Sequence, residues 1–203
     1  MKLWISPASP FARKPRIIAR ESGLASRIEE IETAVSPVKA NEALAPDNPL
    51  MKIPALRTDD GLVLYDSPVI CEYLDSLHGA QKLFPPAGPA RWTALRAQAL
   101  GDGILDAGIL TRYEVFVRPE NLRWPAWIDG QKEKMDRALD VANGDAAAFG
   151  AVFDIGQITI ACAVGWLDFR YPDWGWRNRR PVLASWFERI SARESMRQTM
   201  PRA

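Results

Sequence analysis

Cysteine and histidine are scarce: the 203-residue chain has two cysteines, Cys71 and Cys162, and one histidine, His78. Two thiols far apart in sequence make no disulfide framework, and with a single imidazole they build no structural zinc site. Each cysteine sits in an apolar run, VICEYL or IACAVGW, and reads as a small buried hydrophobe. An excess of charge is missing too, since 26 Lys and Arg stand against 25 Asp and Glu, a formal net charge of +1. That balance leaves no electrostatic footprint for nucleic acid or an anionic membrane. No apolar run is long enough to span a bilayer. The opening MKLWISPASPFARK breaks its apolar stretch at Pro7 and soon reaches Arg13, so no signal peptide is expected and a cytoplasmic location is. There are no internal repeats and no low-complexity tracts.

What is present suits a globular protein. With 47% hydrophobic and 25% charged residues, the chain can bury one large core or two smaller ones. KLWIS, ended by Pro7, fits a short buried strand, and FARKPRIIARESG has helical spacing with a stop at Gly23. SRIEEIETA alternates like an edge strand. The polar SPVKANEALAPDNP holds a short helix at most. PALRT, the turn Asp59-Asp60-Gly61 and LVLYD read as a hairpin. Ser67, a good N-cap, and Pro68 open a helix that Gly79 closes. The order β-α-β-α-β-β-α is that of a thioredoxin-like domain over residues 1–79.

Composition then changes. KLFPPAGPA, with Pro85, Pro86, Gly88 and Pro89, reads as a linker over 80–90. Residues 91–203 are predicted to be helical throughout. One amphipathic stretch runs from Arg91 to Pro119, a second from Trp127 to Asn143, and a third, Ile158 to Phe169, is apolar on nearly every side. A fourth, PVLASWFERISARES, begins at Pro181. The third belongs in the middle of a bundle, so the fold class is a thioredoxin-like α/β N-terminal domain plus an all-α C-terminal bundle.

Three segments in this order carry a resemblance. SPASPFARK opens the first helix, NPLMKIPAL resembles an NPxxKVPxL segment, and YDSPVICEYLD resembles an ESxxIxxYL helix start. Together with IACAVGWLDFR and SWFERISARES they resemble the cytosolic glutathione transferases over essentially the whole chain. The resemblance implies the glutathione transferase fold, glutathione as cosubstrate, no metal, and a homodimer. It also implies a small apolar electrophile as second substrate, and no nucleic-acid or membrane partner.

Site residues follow from the same segments. The resemblance makes Ile53-Pro54 a cis bond, an uncommon geometry that usually marks a specific tight turn. The backbone of Ile53 is then placed to pair with the cysteinyl part of glutathione as an added strand would. Lys52 is placed to meet a carboxylate of the tripeptide. Asp66 and Ser67 are expected to hold the γ-glutamyl end, because a helix N-terminus offers unpaired N–H groups and a partial positive charge.

Ser9 precedes Pro10 at another helix start and is the expected catalytic residue. A hydroxyl donor and a helix end lower a thiol's pKa from about 8.5 and raise its nucleophilic fraction. Ser6 is the alternative hydroxyl, Phe11, Arg13 and Tyr113 are further candidates, and no tyrosine lies in this N-terminal segment. The two cysteines of a thioredoxin CxxC are replaced at Ser9-Pro10-Phe11-Ala12, which excludes dithiol chemistry there and points to thiol addition or substitution.

Two departures from the family pattern bear on this. Pro15 removes the N–H that would reach the Phe11 carbonyl, and is expected to kink the first helix or delay its regular start, away from Ser9. Thr159, followed three residues later by Cys162, is expected to cap the core helix without the return bond of a capping box. Tyr113, Phe116, Trp174 and Trp176 are expected to supply an apolar wall for the electrophile, and Asp102 and Asp106 to face solvent or a partner subunit. The expected function is glutathione transfer, or a related glutathione-dependent peroxidase or isomerase reaction. A non-catalytic glutathione-binding stress or interaction protein is the alternative.

Overall fold

Leu3 and Ile5 alternate with Lys2 and Trp4 and point to one buried face, which makes Lys2–Ile5 a strand (β1) with one face in the core. In the computed structural model, which describes residues 1–203, β1 is followed by helix α1 (Pro10–Glu21), β2 (Glu29–Glu32), β3 (Ala55–Arg57), β4 (Val63–Leu64) and helix α2 (Ser67–Ser76). The sheet order is β2-β1-β3-β4. β1 and β2 are parallel, joined through α1, while β3 is antiparallel to both β1 and β4. β2 is an edge strand, as its alternation suggested. α1 and α2 pack on each other, and Ile17, Ile18, Ile70, Cys71 and Leu74 on them are wholly buried.

Two sequence expectations change here. The stretch between β2 and β3 forms turns and no helix. Pro37, Pro46 and Pro49 remove helical donors, and the loop is tied down instead by Asn41, which donates to the Ala34 carbonyl at 2.8 Å. Leu44 anchors it by packing on Ile53 and Ala55 with Trp4 and Val35. Pro15 neither breaks α1 nor delays it, since the helix runs unbroken from Pro10. The start is fixed upstream, where the Arg13 amide reaches the Ser9 carbonyl at 3.1 Å and the Ala12 amide reaches Ser9 Oγ at 3.2 Å. Pro15 then forfeits one bond in a helix whose Ile17 and Ile18 are locked in the core.

Contacts divide the chain into two units, Met1–Arg91 with Arg193–Ala203, and Trp92–Ala192. The second unit is all helical. α3 (Gly88–Phe116) has its first residues in the N-terminal unit, and α4 (Pro125–Ala146), α5 (Ile155–Arg170), α6 (Trp176–Arg179) and α7 (Pro181–Ser191) follow. Ile155 to Leu167 is buried without interruption, so α5 is the core helix the sequence promised. It starts three residues earlier than expected. Asp154 is its cap, accepting the Gln157 amide at 3.0 Å, and Thr159 lies inside the helix with its hydroxyl donating to the Ile155 carbonyl at 2.8 Å. The last helix, α8 (Glu194–Gln198), returns to the first unit and packs on α1.

Candidate functional site

The register of the small sheet gathers the candidate residues. Trp4 pairs with Ala55 and Leu64 with Leu56, so the C-terminal ends of β1 and β4 and the start of β3 share one end of the sheet. Ser6 and Ser9 leave β1 at that end, Ile53-Pro54 enter β3 there, and Asp66-Ser67 leave β4 into α2 there. The Ile53-Pro54 bond is cis.

Each element offers a different chemical group. At α1, Ser9 Oγ accepts the Ala12 amide and keeps its own O–H to donate. Ser6 Oγ sits similarly, accepting the Ala8 amide at 3.3 Å, while the Ser6 carbonyl accepts the Ser9 amide at 2.9 Å. At α2 the cap residue is Asp66, one position before the expected Ser67, and no side chain caps the helix. Its first N–H groups are therefore available to an anion, supported by the helix dipole. Ser67 is buried at this end and the Asp66 carboxylate is exposed.

Asn48 is a residue whose role the sequence did not disclose. It is buried, donates from Nδ2 to the Lys52 carbonyl at 2.8 Å, and accepts the Leu50 amide on Oδ1 at 3.0 Å. Its neighbour Asp47 pairs with Arg57 of β3 at 2.5 Å. The two fix the loop that presents Lys52 and Ile53; Lys52 itself is exposed. The Asn48-Pro49 dipeptide was visible as part of a motif, but the bond to Lys52 was not.

The other candidates have surroundings of their own. Arg13 is not a solvated surface arginine. It is buried, donates from Nε to Thr199 Oγ1 at 3.3 Å and from Nη2 to the Met196 carbonyl at 3.1 Å, and so fastens the C-terminal segment to α1. Phe11 is half-buried in the first turn of α1 under the Lys14 ammonium. Tyr113 belongs to the helical unit on α3, and burial raises its phenol pKa against the opposing effect of Arg112. Trp176 is no pocket wall: it is buried against Phe187, and its indole N–H donates to Asp168 at 2.8 Å. Trp174 remains half-buried, edge-on to Tyr171. No group of three or more His, Cys, Asp or Glu side chains is arranged to hold a metal ion, and no helix is long and apolar enough to cross a membrane.

Residues 8–77 match the model of the glutathione S-transferase N-terminal domain, and residues 125–189 that of the C-terminal domain. An uncharacterized GST-like protein of Escherichia coli K12, YibF, is 36% identical over 99% of this chain and 98% of its own length. A crystal structure of a glutathione transferase family member from Pseudomonas fluorescens Pf-5 with bound glutathione superposes with a TM-score of 0.94 at 47% identity, covering 100% of this chain and 99% of the other. A second crystal structure from that organism, with bound S-(propanoic acid)-glutathione, gives 0.92 at 45% identity, covering both chains fully. A glutathione S-transferase from Methylobacillus flagellatus KT with glutathione bound gives 0.88 at 34%, over 99% of each chain. The chain belongs to the glutathione S-transferase family.

Proposed function

We propose that the protein is a glutathione transferase that joins the glutathione sulfur to a small hydrophobic electrophile, with Ser9 as the catalytic residue. The observation that carries this reading is the convergence at one sheet end of a hydroxyl with a proton to give and a helix N-terminus that no side chain caps. The γ-glutamyl carboxylate lies on the α2 amides with Ser67, and its ammonium meets Asp66. The Ile53 backbone pairs with the cysteinyl residue beside Pro54, and Lys52 meets the glycyl carboxylate. That places the sulfur toward α1. There the Ser9 hydroxyl donates to it, and the donor together with the helix end favours thiolate over thiol.

The reaction is a displacement or an addition. The thiolate sulfur forms a bond to the electrophilic carbon, and either a halide leaves with its electron pair or an activated alkene accepts a proton from water at the neighbouring carbon. That relatives hold glutathione and one of its S-substituted derivatives supports a site that admits the tripeptide with its sulfur either free or substituted. A homodimer in the cytoplasm is part of the same reading.

Calorimetric titration with glutathione and S-methylglutathione, beside turnover of a model aryl halide, tests it. Both ligands are expected to bind at micromolar to millimolar concentration, with measurable turnover. Binding without turnover of any aryl halide or activated alkene would instead support the non-catalytic reading, and no binding would sink both.

A further inference from the structure

The helical unit carries a pair of arginines with no anion to meet. α3 and α5 run side by side in a fixed register, with Gly101 against Thr159 and Gly108 against the Trp166 ring. One turn farther along each helix stand Arg112 and Arg170. The Tyr171 hydroxyl donates to the Gly108 carbonyl at 2.9 Å and ties the end of α5 to α3 at this level. Arg112 lies over the Phe116 ring at 4.4 Å and Arg170 over the Phe169 ring at 4.0 Å. Both arginines are half-buried, as are Tyr113, Phe169 and Tyr171 around them.

Their electrostatics are one-sided. Arg170 Nε is buried and has no hydrogen-bond partner. Burial first, and then the charge of Arg112, lowers the pKa of Arg170, and the Tyr171 phenol alone works against them. That phenol is itself pushed up to about 12 by burial, so it is neutral at physiological pH. Neighbouring carboxylates are already taken: Asp168 holds Arg177 and the Trp176 indole, and Glu114 holds Arg118 and the Trp124 amide. Each arginine sits near the C-terminal end of its helix, where the dipole favours a cation, yet that favour leaves the repulsion between the two in place. A carboxylate offers two oxygens to planar guanidinium groups and relieves both the repulsion and the unpartnered Nε. The aromatic rings on which the arginines stack favour a flat apolar body behind that carboxylate.

We propose that Arg112 and Arg170 form a binding site for the carboxylate of a small aromatic or unsaturated acid. The site lies within the helical unit and does not rest on the glutathione reading. Its test needs neither glutathione nor turnover.

The probe is benzoate, titrated against tryptophan emission in the intact protein, with neutral benzamide as its uncharged match. Benzoate is expected to saturate with benzamide at least tenfold weaker, and Arg112→Gln and Arg170→Gln each to weaken benzoate about tenfold or more. Arg137→Gln, at an exposed pair with Glu133, is expected to leave binding unchanged. Added sodium sulfate is expected to compete in the unaltered protein, which keeps the test decisive should a glutamine variant fold poorly. Equal affinity for benzoate and benzamide, no saturation, or wild-type binding by the folded double variant would overturn the proposal.

Discussion

Ser9 Oγ accepts the Ala12 amide at 3.2 Å, so one side chain caps α1 and still has a proton to donate. The two roles separate on mutation. Ser9→Ala removes the cap, worth about 1 kcal/mol of stability, and, under the proposed mechanism, removes a charge-assisted hydrogen bond to the sulfur, worth about tenfold or more in turnover. Ser6→Ala is expected to leave turnover within about twofold. Steady-state rates with an aryl halide, beside urea denaturation, check both, and a larger loss at Ser6 would transfer the catalytic role to it.

Much of the local structure around the candidate site was legible because it is built from local signals. The Ser9-Pro10 start and the Asp59-Asp60-Gly61 hairpin are each encoded within a few adjacent residues, while the cis Ile53-Pro54 turn was implied by the resemblance, and the structure bears out all three. The start of α5 was not legible, because Gly156 and Gln157 interrupt the apolar pattern and made the helix seem to begin at Ile158. Gly156 sits there because the backbone of α3 passes against it, with the Ala94 carbonyl 2.6 Å from where a Cβ would stand. Nor was the return of α8 to α1 legible. Arg13 meets Thr199 and Met196 across most of the chain length, and such pairings leave no periodic trace in sequence.

Asp75 sets the start of the segment after α2. Its buried carboxylate accepts the Leu83 amide at 2.8 Å on one oxygen and the Phe84 amide at 3.1 Å on the other, with His78 Nε2 3.0 Å away. Asp75→Ala orphans two buried N–H groups and is expected to cost about 3 kcal/mol or more. Asp75→Asn keeps one oxygen and turns an NH2 toward the other amide, so it is expected to cost a good part of the same amount. A urea midpoint for Asp75→Asn equal to wild type would contradict this account.

Glu21, at the end of α1, answers to pH. Burial alone raises its pKa, but hydrogen bonds from Arg193 and Ser195 and the Arg193 charge outweigh it, leaving the group below its usual 4.5. A carboxylate depressed in the folded state stabilises the protein above the unfolded value and loses that contribution as pH falls through the folded one. Glu21→Gln is therefore expected to destabilise by about 1 to 3 kcal/mol at neutral pH. The gap should narrow below about pH 4.5 and close once wild-type Glu21 is protonated. Paired denaturation curves across that range check the sign.

Helical glycines in the second unit should split by their surroundings. Gly130 on α4 has no atom within 4 Å of an added Cβ, so Gly130→Ala gains helix propensity alone and is expected to stabilise by about 0.5 to 1 kcal/mol. Gly156 on α5 faces the Ala94 carbonyl at 2.6 Å and Ala97 Cβ at 2.7 Å, both on α3. The backbone oxygen cannot rotate away as a side chain would, so the helices must separate. Overpacking of that kind costs about 1 to 3 kcal/mol or more, which outweighs the same gain in propensity. Gly108 lies between these cases, because its added methyl would meet the Trp166 ring edge at 2.6 Å, and an indole can tilt where a backbone cannot. The expected order of urea midpoints is Gly130→Ala above wild type, then Gly108→Ala, then Gly156→Ala. A Gly156→Ala protein as stable as wild type would mean that α3 and α5 do not pack at this distance in solution.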